Sequence, residues 1–199
     1  VVHRDVSPQN IIVLFSGGVK LVDFGVAKAA SKIHHTKVGT LKGKFAYMSP
    51  EQCLGMPVDG RSDLFSLGTV LWEVMTCRRL FKRDQEAAII HAILNKTVRP
   101  PSKYRQEVGP EVDSVILKAL ARDPNQRFQS AADMAAALRE ALRHTGRPAG
   151  AREIANFVKD VFADRARTKK ALLAELRQGK TQKISISTVS YTHLTLPTN

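Results

Sequence analysis

The chain has 199 residues, 43% of them apolar and 25% charged, a balance that excludes collagen-like and disordered classes and fits one globular domain with a tail. Its 31 Lys and Arg against 18 Asp and Glu leave a formal charge of +13, which attracts phosphate-rich partners without saying which. Cys53 and Cys77 are too few for a disulfide framework and not spaced as a metal knuckle, so both read as buried thiols of a reducing compartment.

The chain opens Val-Val-His-Arg-Asp, with neither Met nor a signal-peptide pattern, and reads as an interior start. Two β-branched runs follow, Ile11 to Leu14 and Val19 to Val22, joined by Ser16-Gly17-Gly18, which predicts a strand, a tight turn and a strand. Residues 29 to 50 are rich in Lys, Thr, Ser, His and Gly without periodicity, as in a long functional loop. After Pro50 the period becomes helical. Leu64, Leu67, Val70, Leu71 and Val74 follow a helix start at Ser62 or Asp63, and further helices are expected over Glu86 to Asn95, Glu111 to Ala121 and Ser130 to Arg143.

Gly146 to Gly150 reads as a linker, and Ile154, Phe157, Val158, Val161 and Phe162, then Leu172, Leu173 and Leu176, predict one or two amphipathic helices beyond it. From Arg139 to Lys183 the net charge is +7; a solvated basic face is the preferred reading, with contact to nucleic acid or an anionic membrane as the alternatives. No run approaches the ~18 apolar residues of a membrane helix. The last residues, from about Val189, resemble a translated sequencing-library adapter more than a polar strand, and they are set aside.

Three segments carry chemistry: His3-Arg4-Asp5-Val6-Ser7-Pro8-Gln9-Asn10, then Asp23-Phe24-Gly25, then Ser49-Pro50-Glu51 after the loop. Any one arises easily by chance; all three in this order, with strands between the first two, do not. Over about Val1 to Arg143 the chain resembles the C-terminal lobe of a protein kinase, most like bacterial serine/threonine kinases of the eukaryotic type. The resemblance implies an α+β protein-kinase-like fold, with a mainly helical C-lobe, a short β-hairpin near the catalytic loop, and the N-lobe absent. The expected organisation is a kinase lobe over 1–143, a linker over 144–150, a basic amphipathic helical segment over 151–179 and a disordered tail over 180–199.

By the same resemblance, ATP and Mg²⁺ are the cofactors and protein serine or threonine hydroxyls the acceptors. Asp5 matches the residue that orients the acceptor hydroxyl and takes its proton, while Asn10 and Asp23 match the two hard-oxygen metal ligands. Ile12 matches the residue beneath the adenine ring. His3 and Phe24 correspond to a structural stack, which removes His3 as a general base. Asp63 corresponds to the anchor of the catalytic-loop backbone, and Arg127 to the partner of Glu51. Arg4 marks kinases switched on by phosphorylation, for which Thr40, Thr36 and Ser31 are the candidate autophosphorylation sites, Thr40 preferred.

Two positions depart from the family. Serine/threonine kinases carry Lys where this chain has Ser7 and Thr where it has Lys44, as if ammonium and hydroxyl had changed places; an exposed loop lysine is the competing reading. The resemblance also implies that the glycine-rich loop, strand lysine and hinge lie upstream of Val1. This segment alone is then expected to be inactive and to expose apolar surface toward the other lobe. A pseudokinase scaffold, a small-molecule kinase and a basic-tail nucleic-acid-binding module are the alternatives, and tyrosine specificity is disfavoured. A cytoplasmic lobe is expected, with membrane anchoring of the parent protein left open.

Overall fold

The computed structural model describes residues 1–24, 45–144, 149–165, 167–168 and 174. Lys44, the acceptor candidates Ser31, Thr36 and Thr40, most of the linker and the whole of the tail lie outside them. The chain divides into two compact units, one drawn from Val1–Ile11 and Leu21–Pro148, the other from Ile12–Lys20 and Ala149–Asn199.

Two short strands, β1 (Ile11–Val13) and β2 (Val19–Leu21), form the sheet. Leu14 and Gly18 pair at the turn (Leu14 N–H to Gly18 O, 2.8 Å) and Asn10 and Val22 at the open end (Val22 N–H to Asn10 O, 2.9 Å), which fixes the register. The register brings Asn10 and Asp23, on either side of the strands, to the same end of the hairpin. Gly17 turns the chain with φ +83, and a Cβ there would lie 1.8 Å from the Ala151 carbonyl oxygen, so no other residue fits the contact.

The first unit is built around helix α2 (Gly60–Thr76), preceded by the four-residue helix α1 (Pro50–Cys53) and followed by α3 (Glu86–Asn95), α4 (Pro110–Ala119) and α5 (Ala131–His144). Helix α2 packs on α4 and α5, and α4 packs on α5. At the α2–α4 crossing Gly68 takes the closest approach: an added Cβ would sit 2.9 Å from the Ala119 methyl. Leu64, Phe65, Val70 and Trp72 of α2 meet Ile89 and Ile93 of α3, Ile116 and Ala119 of α4, and Met134 of α5 in one buried core. Each large side chain removed from water there stabilises the fold by about 1.5–3 kcal/mol. Helix α2 is buried over so much of its circumference that its hydroxyls need internal acceptors: Ser66 donates to the Tyr47 carbonyl at 2.7 Å and Thr76 to the Trp72 carbonyl at 2.9 Å.

The start of α2 corrects the sequence expectation. Asp59, not Ser62 or Asp63, is the N-cap, its carboxylate accepting from the Arg61 amide at 2.9 Å. Ser62 and Asp63 instead face other segments, as described below. The cysteines also depart from expectation. Cys77 is exposed, because it ends α2 in a left-handed conformation (φ 52) where the chain turns into water, and Cys53 is only partly buried.

The second unit contains helix α6 (Ala151–Val161), whose Ala155 and Val158 are buried while Phe157 and Val161 are exposed. Its capping glycine amide, Gly150 N–H, donates to the Glu153 carboxylate. Val13, Phe15 and Val19 of the hairpin stand exposed in this unit, and Leu21 in the first. Among the described residues no helix is long and apolar enough to cross a membrane.

Candidate active site

Residues 3–10 form an irregular loop that ends in a 3-10 turn, Pro8–Asn10, and leads into β1. One side chain from α2 holds its start. The Asp63 carboxylate accepts the His3 amide through Oδ2 at 2.7 Å and the Arg4 amide through Oδ1 at 2.8 Å. Where the two successive amides converge on this carboxylate, Arg4 adopts the left-handed region, φ 66. That conformation costs a non-glycine residue about 1–2 kcal/mol, offset here by the two charge-assisted bonds. The Gln52 side chain steadies the same peptide, donating to the Arg4 carbonyl at 3.0 Å.

His3 is buried and both its ring nitrogens are occupied: Nε2 donates to the Val22 carbonyl at 3.0 Å, and Nδ1 accepts from the Asp5 amide at 3.3 Å. Its ring lies 4.7 Å from that of Phe24. His3 therefore ties the loop to the end of β2, immediately before Asp23, and has no nitrogen left to act as a base. Asp23 is exposed and is itself left-handed, φ 58, the second strained non-glycine residue of this corner.

Asn10 is 3% exposed, and its Nδ2 donates to the Asp5 carbonyl at 2.7 Å and to Asp5 Oδ2 at 3.2 Å. This orients the Asp5 carboxylate and spends the amide nitrogen, leaving Asn10 Oδ1 as the group's acceptor end. Among the described residues no cluster of three or more His, Cys, Asp or Glu exists that would hold a metal by itself. One carboxylate (Asp23) and one amide oxygen (Asn10) are a hard-oxygen set suited to Mg²⁺, which takes few protein ligands and completes its shell with phosphate and water. Ile12, in the second unit, is 43% exposed.

Ser7 is 1% exposed, and among the described residues its hydroxyl has no hydrogen-bond partner. A buried unsatisfied hydroxyl costs about 1–3 kcal/mol, which makes this position an outlier in an otherwise well-satisfied loop.

The segment after the long loop is fixed through Glu51. Arg127, its side chain 0% exposed, meets it with two parallel bonds, Nη1 to Oε1 at 2.7 Å and Nη2 to Oε2 at 2.8 Å. The other donors of the guanidinium reach the carbonyls of Ala121 (2.7 Å), Arg122 (2.9 Å) and Arg61 (3.0 Å). Ser62 donates to Glu51 Oε1 at 2.5 Å. Burial alone would raise the Glu51 carboxyl, but the bonds from Arg127 and Ser62 outweigh it and hold the group at about 2.

Several supports were not anticipated from sequence. Ser49 caps α1, accepting from the Gln52 amide while the Gln52 side chain accepts from the Ser49 amide, a capping box that Ser-Pro-Glu-Gln spells out. Glu73, buried in the middle of α2, accepts from the Tyr47 hydroxyl at 2.7 Å and from the Leu80 amide at 3.0 Å, with Arg79 at 3.5 Å. Burial pushes both the Glu73 carboxyl and the Tyr47 phenol above their ordinary ranges. Nothing in the Leu71-Trp72-Glu73-Val74 string signals that role.

A loop carrying Asp5 and Asn10, a hairpin ending at Asp23 and a Glu51–Arg127 pair beneath a helical lobe together define a kinase-type catalytic lobe. The family model for the protein kinase domain matches residues 1–144, and the chain belongs to that family. The tyrosine-protein kinase MasK of Myxococcus xanthus is 38% identical over 176 residues, 88% of this chain and 27% of that protein. The serine/threonine-protein kinase PknB of Mycolicibacterium smegmatis is 41% identical over 140 residues, 69% of this chain and 22% of that protein. A probable serine/threonine-protein kinase of Streptomyces coelicolor is 39% identical over 153 residues, 76% and 22% of the two chains. The chain thus spans about a quarter of the length of these relatives.

Proposed function

We propose that the chain is the larger lobe of a bacterial protein kinase that transfers the γ-phosphate of ATP to serine or threonine hydroxyls of proteins. The observation that carries the reading is the Asp5–Asn10 contact, 2.7 Å to the carbonyl and 3.2 Å to the carboxylate, at the foot of the hairpin that ends in Asp23. Asp5 orients the acceptor hydroxyl and receives its proton. Asn10 Oδ1 and the Asp23 carboxylate would hold Mg²⁺, and Ile12 is the candidate for contact with adenine. The metal, when bound, spreads the negative charge that develops during phosphoryl transfer. Asp63 and Arg127 do no chemistry; they keep the loop and the peptide platform in place.

In this reading the kinase lobe covers 1–143, followed by a linker at 144–150, a helical segment at 151–179 and a tail at 180–199. The site works in the cytoplasm, on ATP gripped by a second lobe. That the Ser7 hydroxyl has no partner among the described residues supports the proposal that Ser7 and Lys44 have exchanged the family's roles, Lys44 carrying the charge to the γ-phosphate. Non-additive losses in Ser7→Lys, Lys44→Thr and the double variant are the expected result. The same absence of lysine at position 7, with a relative named as a tyrosine kinase, supports a second reading in which tyrosine is also accepted.

The test is ATP-dependent phosphorylation of itself and of a basic protein by the chain, expressed with the residues that precede it in its gene, beside Asp5→Asn. Phosphoserine or phosphothreonine lost in the variant is the expected outcome; phosphotyrosine would select the second reading. ATP binding without any transfer would leave a pseudokinase.

A further inference from the structure

Away from the catalytic loop, the first unit carries a notch of about 400 Å³ lined by Arg83, Ala88, His91, Ala92, Asn95 and Lys96. Four of these recur at three- and four-residue spacing along α3 and so share one face of it. The two alanines keep the floor low and apolar. The wall holds two cations, a histidine and an amide, and no acid; Asp84 and Glu86, at the start of α3, do not line it.

Among the described residues the positive charges lining the notch have no carboxylate partner. Arg79 is spent on Glu73 at 3.5 Å and Arg78 lies over the Tyr104 ring at 5.0 Å. Lys96 is half-buried and donates to the Leu80 carbonyl at 2.7 Å, and Arg83 donates to the Lys82 carbonyl at 2.6 Å; neither has a carboxylate partner among the described residues. Burial first, then the charges of Arg83 and Arg99, lowers the Lys96 ammonium below its ordinary value, as expected of cations crowded together. Helix α3 also packs directly on the turn Phe45–Tyr47 and on α1, the elements that carry Glu51. The notch therefore belongs to the same compact unit as the proposed peptide platform and packs against it.

We propose that this notch docks an anionic side-chain cluster, carboxylate or phosphorylated, of the protein substrate, at a distance from the hydroxyl that is phosphorylated. The inference rests on the kinase reading for the word substrate, but its binding test does not. The aliphatic stem of an acidic side chain lies on Ala88 and Ala92 while its charge meets Arg83, His91 and the free donors of Lys96.

The experiment is fluorescence anisotropy of the full chain without ATP, using a labelled Glu-rich peptide, its Gln counterpart and its phosphoserine counterpart. At about 0.1 M salt, charges farther than about 10 Å contribute little, which separates the notch from the overall positive charge. The Glu peptide is expected to bind at least about tenfold more tightly than the Gln peptide. Arg83→Glu/His91→Glu is expected to remove that margin, with Arg83→Gln intermediate. Ser114→Glu/Arg139→Glu, the same change of charge placed on exposed positions of α4 and α5, is expected to shift affinity less than about twofold. Equal weakening by both double variants, or equal binding of the Glu and Gln peptides, overturns the proposal. Tighter binding of the phosphoserine peptide supports it and assigns phosphorylated segments; parity with the Glu peptide supports it and assigns carboxylates. Loss of phosphotransfer with docking intact would sink the kinase reading alone.

Discussion

Replacing Arg127 by Leu tests whether the peptide platform rests on a buried ion pair. The change leaves the Glu51 carboxylate, 5% exposed, with the Ser62 hydroxyl as its remaining side-chain donor, and it strips three carbonyls of the donors at 2.7, 2.9 and 3.0 Å. Breaking a buried pair on one side costs about 3–5 kcal/mol. The net shift of the Glu51 carboxyl from its usual 4.5 to about 2, to which Arg127, Ser62 and a backbone bond all contribute against burial, corresponds to ~3 kcal/mol, the same order. Against a typical total of about 5–15 kcal/mol, the variant is folded but marginal.

Trp72, the only tryptophan, is buried at 3% exposure and bonded to the Arg99 carbonyl at 2.8 Å, so its fluorescence reports urea unfolding of this unit. With a slope of about 1–3 kcal/mol per molar urea, the midpoint is expected to fall by roughly 2 M. Acidification adds a signature that simple loss of packing lacks. Because the folded carboxyl titrates below its unfolded value, the pair's stabilisation is complete above pH 4.5 and is lost as pH falls toward 2. In Arg127→Leu burial raises the same carboxyl instead, so the gap between wild type and variant is widest at neutral pH, where the unpaired acid is charged, and narrows as pH falls. The double variant Glu51→Leu/Arg127→Leu is expected to recover part of the loss. A cost for Arg127→Leu below about 1 kcal/mol, or full additivity in the double variant, would refute the reasoning.

Asp63→Asn keeps one acceptor and loses the other, so it is expected to cost about 1.5–3 kcal/mol, and amide exchange at His3 and Arg4 should accelerate in hydrogen-exchange mass spectrometry. Ser7→Ala removes a buried hydroxyl that has no partner among the described residues, so stability in urea unfolding is expected to stay level or rise by up to about 1 kcal/mol; a loss of that size instead would reveal a partner for the hydroxyl. Burial, helped by Glu51, pushes the Cys53 thiol up to about 11 from its usual 9.0, leaving about a hundredfold less thiolate. Iodoacetamide at mildly alkaline pH should label exposed Cys77 first and Cys53 only on unfolding, which peptide mass mapping reads directly.

What could be read in one dimension was what a local pattern encodes. The hairpin is spelled by β-branched runs around Ser16-Gly17-Gly18, and α3 by apolar spacing over its observed span, Glu86–Asn95. The roles of Asp63 and Arg127 came through resemblance, and the geometry agrees with both. The start of α2 was misplaced for an instructive reason. Asp59, Ser62 and Asp63 are all good capping types, and periodicity alone favours whichever stands nearest the apolar stripe. Only Asp59 caps; Ser62 is committed to Glu51, and Asp63 to amides 60 and 59 residues away. Polar residues that serve distant partners look the same in sequence as those that serve their own helix.

The same ambiguity governs Glu73 and Ser7. Glu73 sits among apolar neighbours and would pass for a surface acid, yet it is 3% exposed and joins the turn bearing Tyr47 to the segment bearing Leu80. Ser7 shows the converse. Its chemistry is ordinary, but its place, two residues after Asp5, buried and without a hydrogen bond among the described residues, is not. A loop in which Asp63, His3, Asn10 and Gln52 all satisfy their partners keeps one unsatisfied hydroxyl beside the proposed base. Stability alone would favour alanine there. Keeping serine is therefore most simply read as service to a state in which something else donates to or accepts from it, and the Ser7→Lys/Lys44→Thr cycle asks whether that something is Lys44.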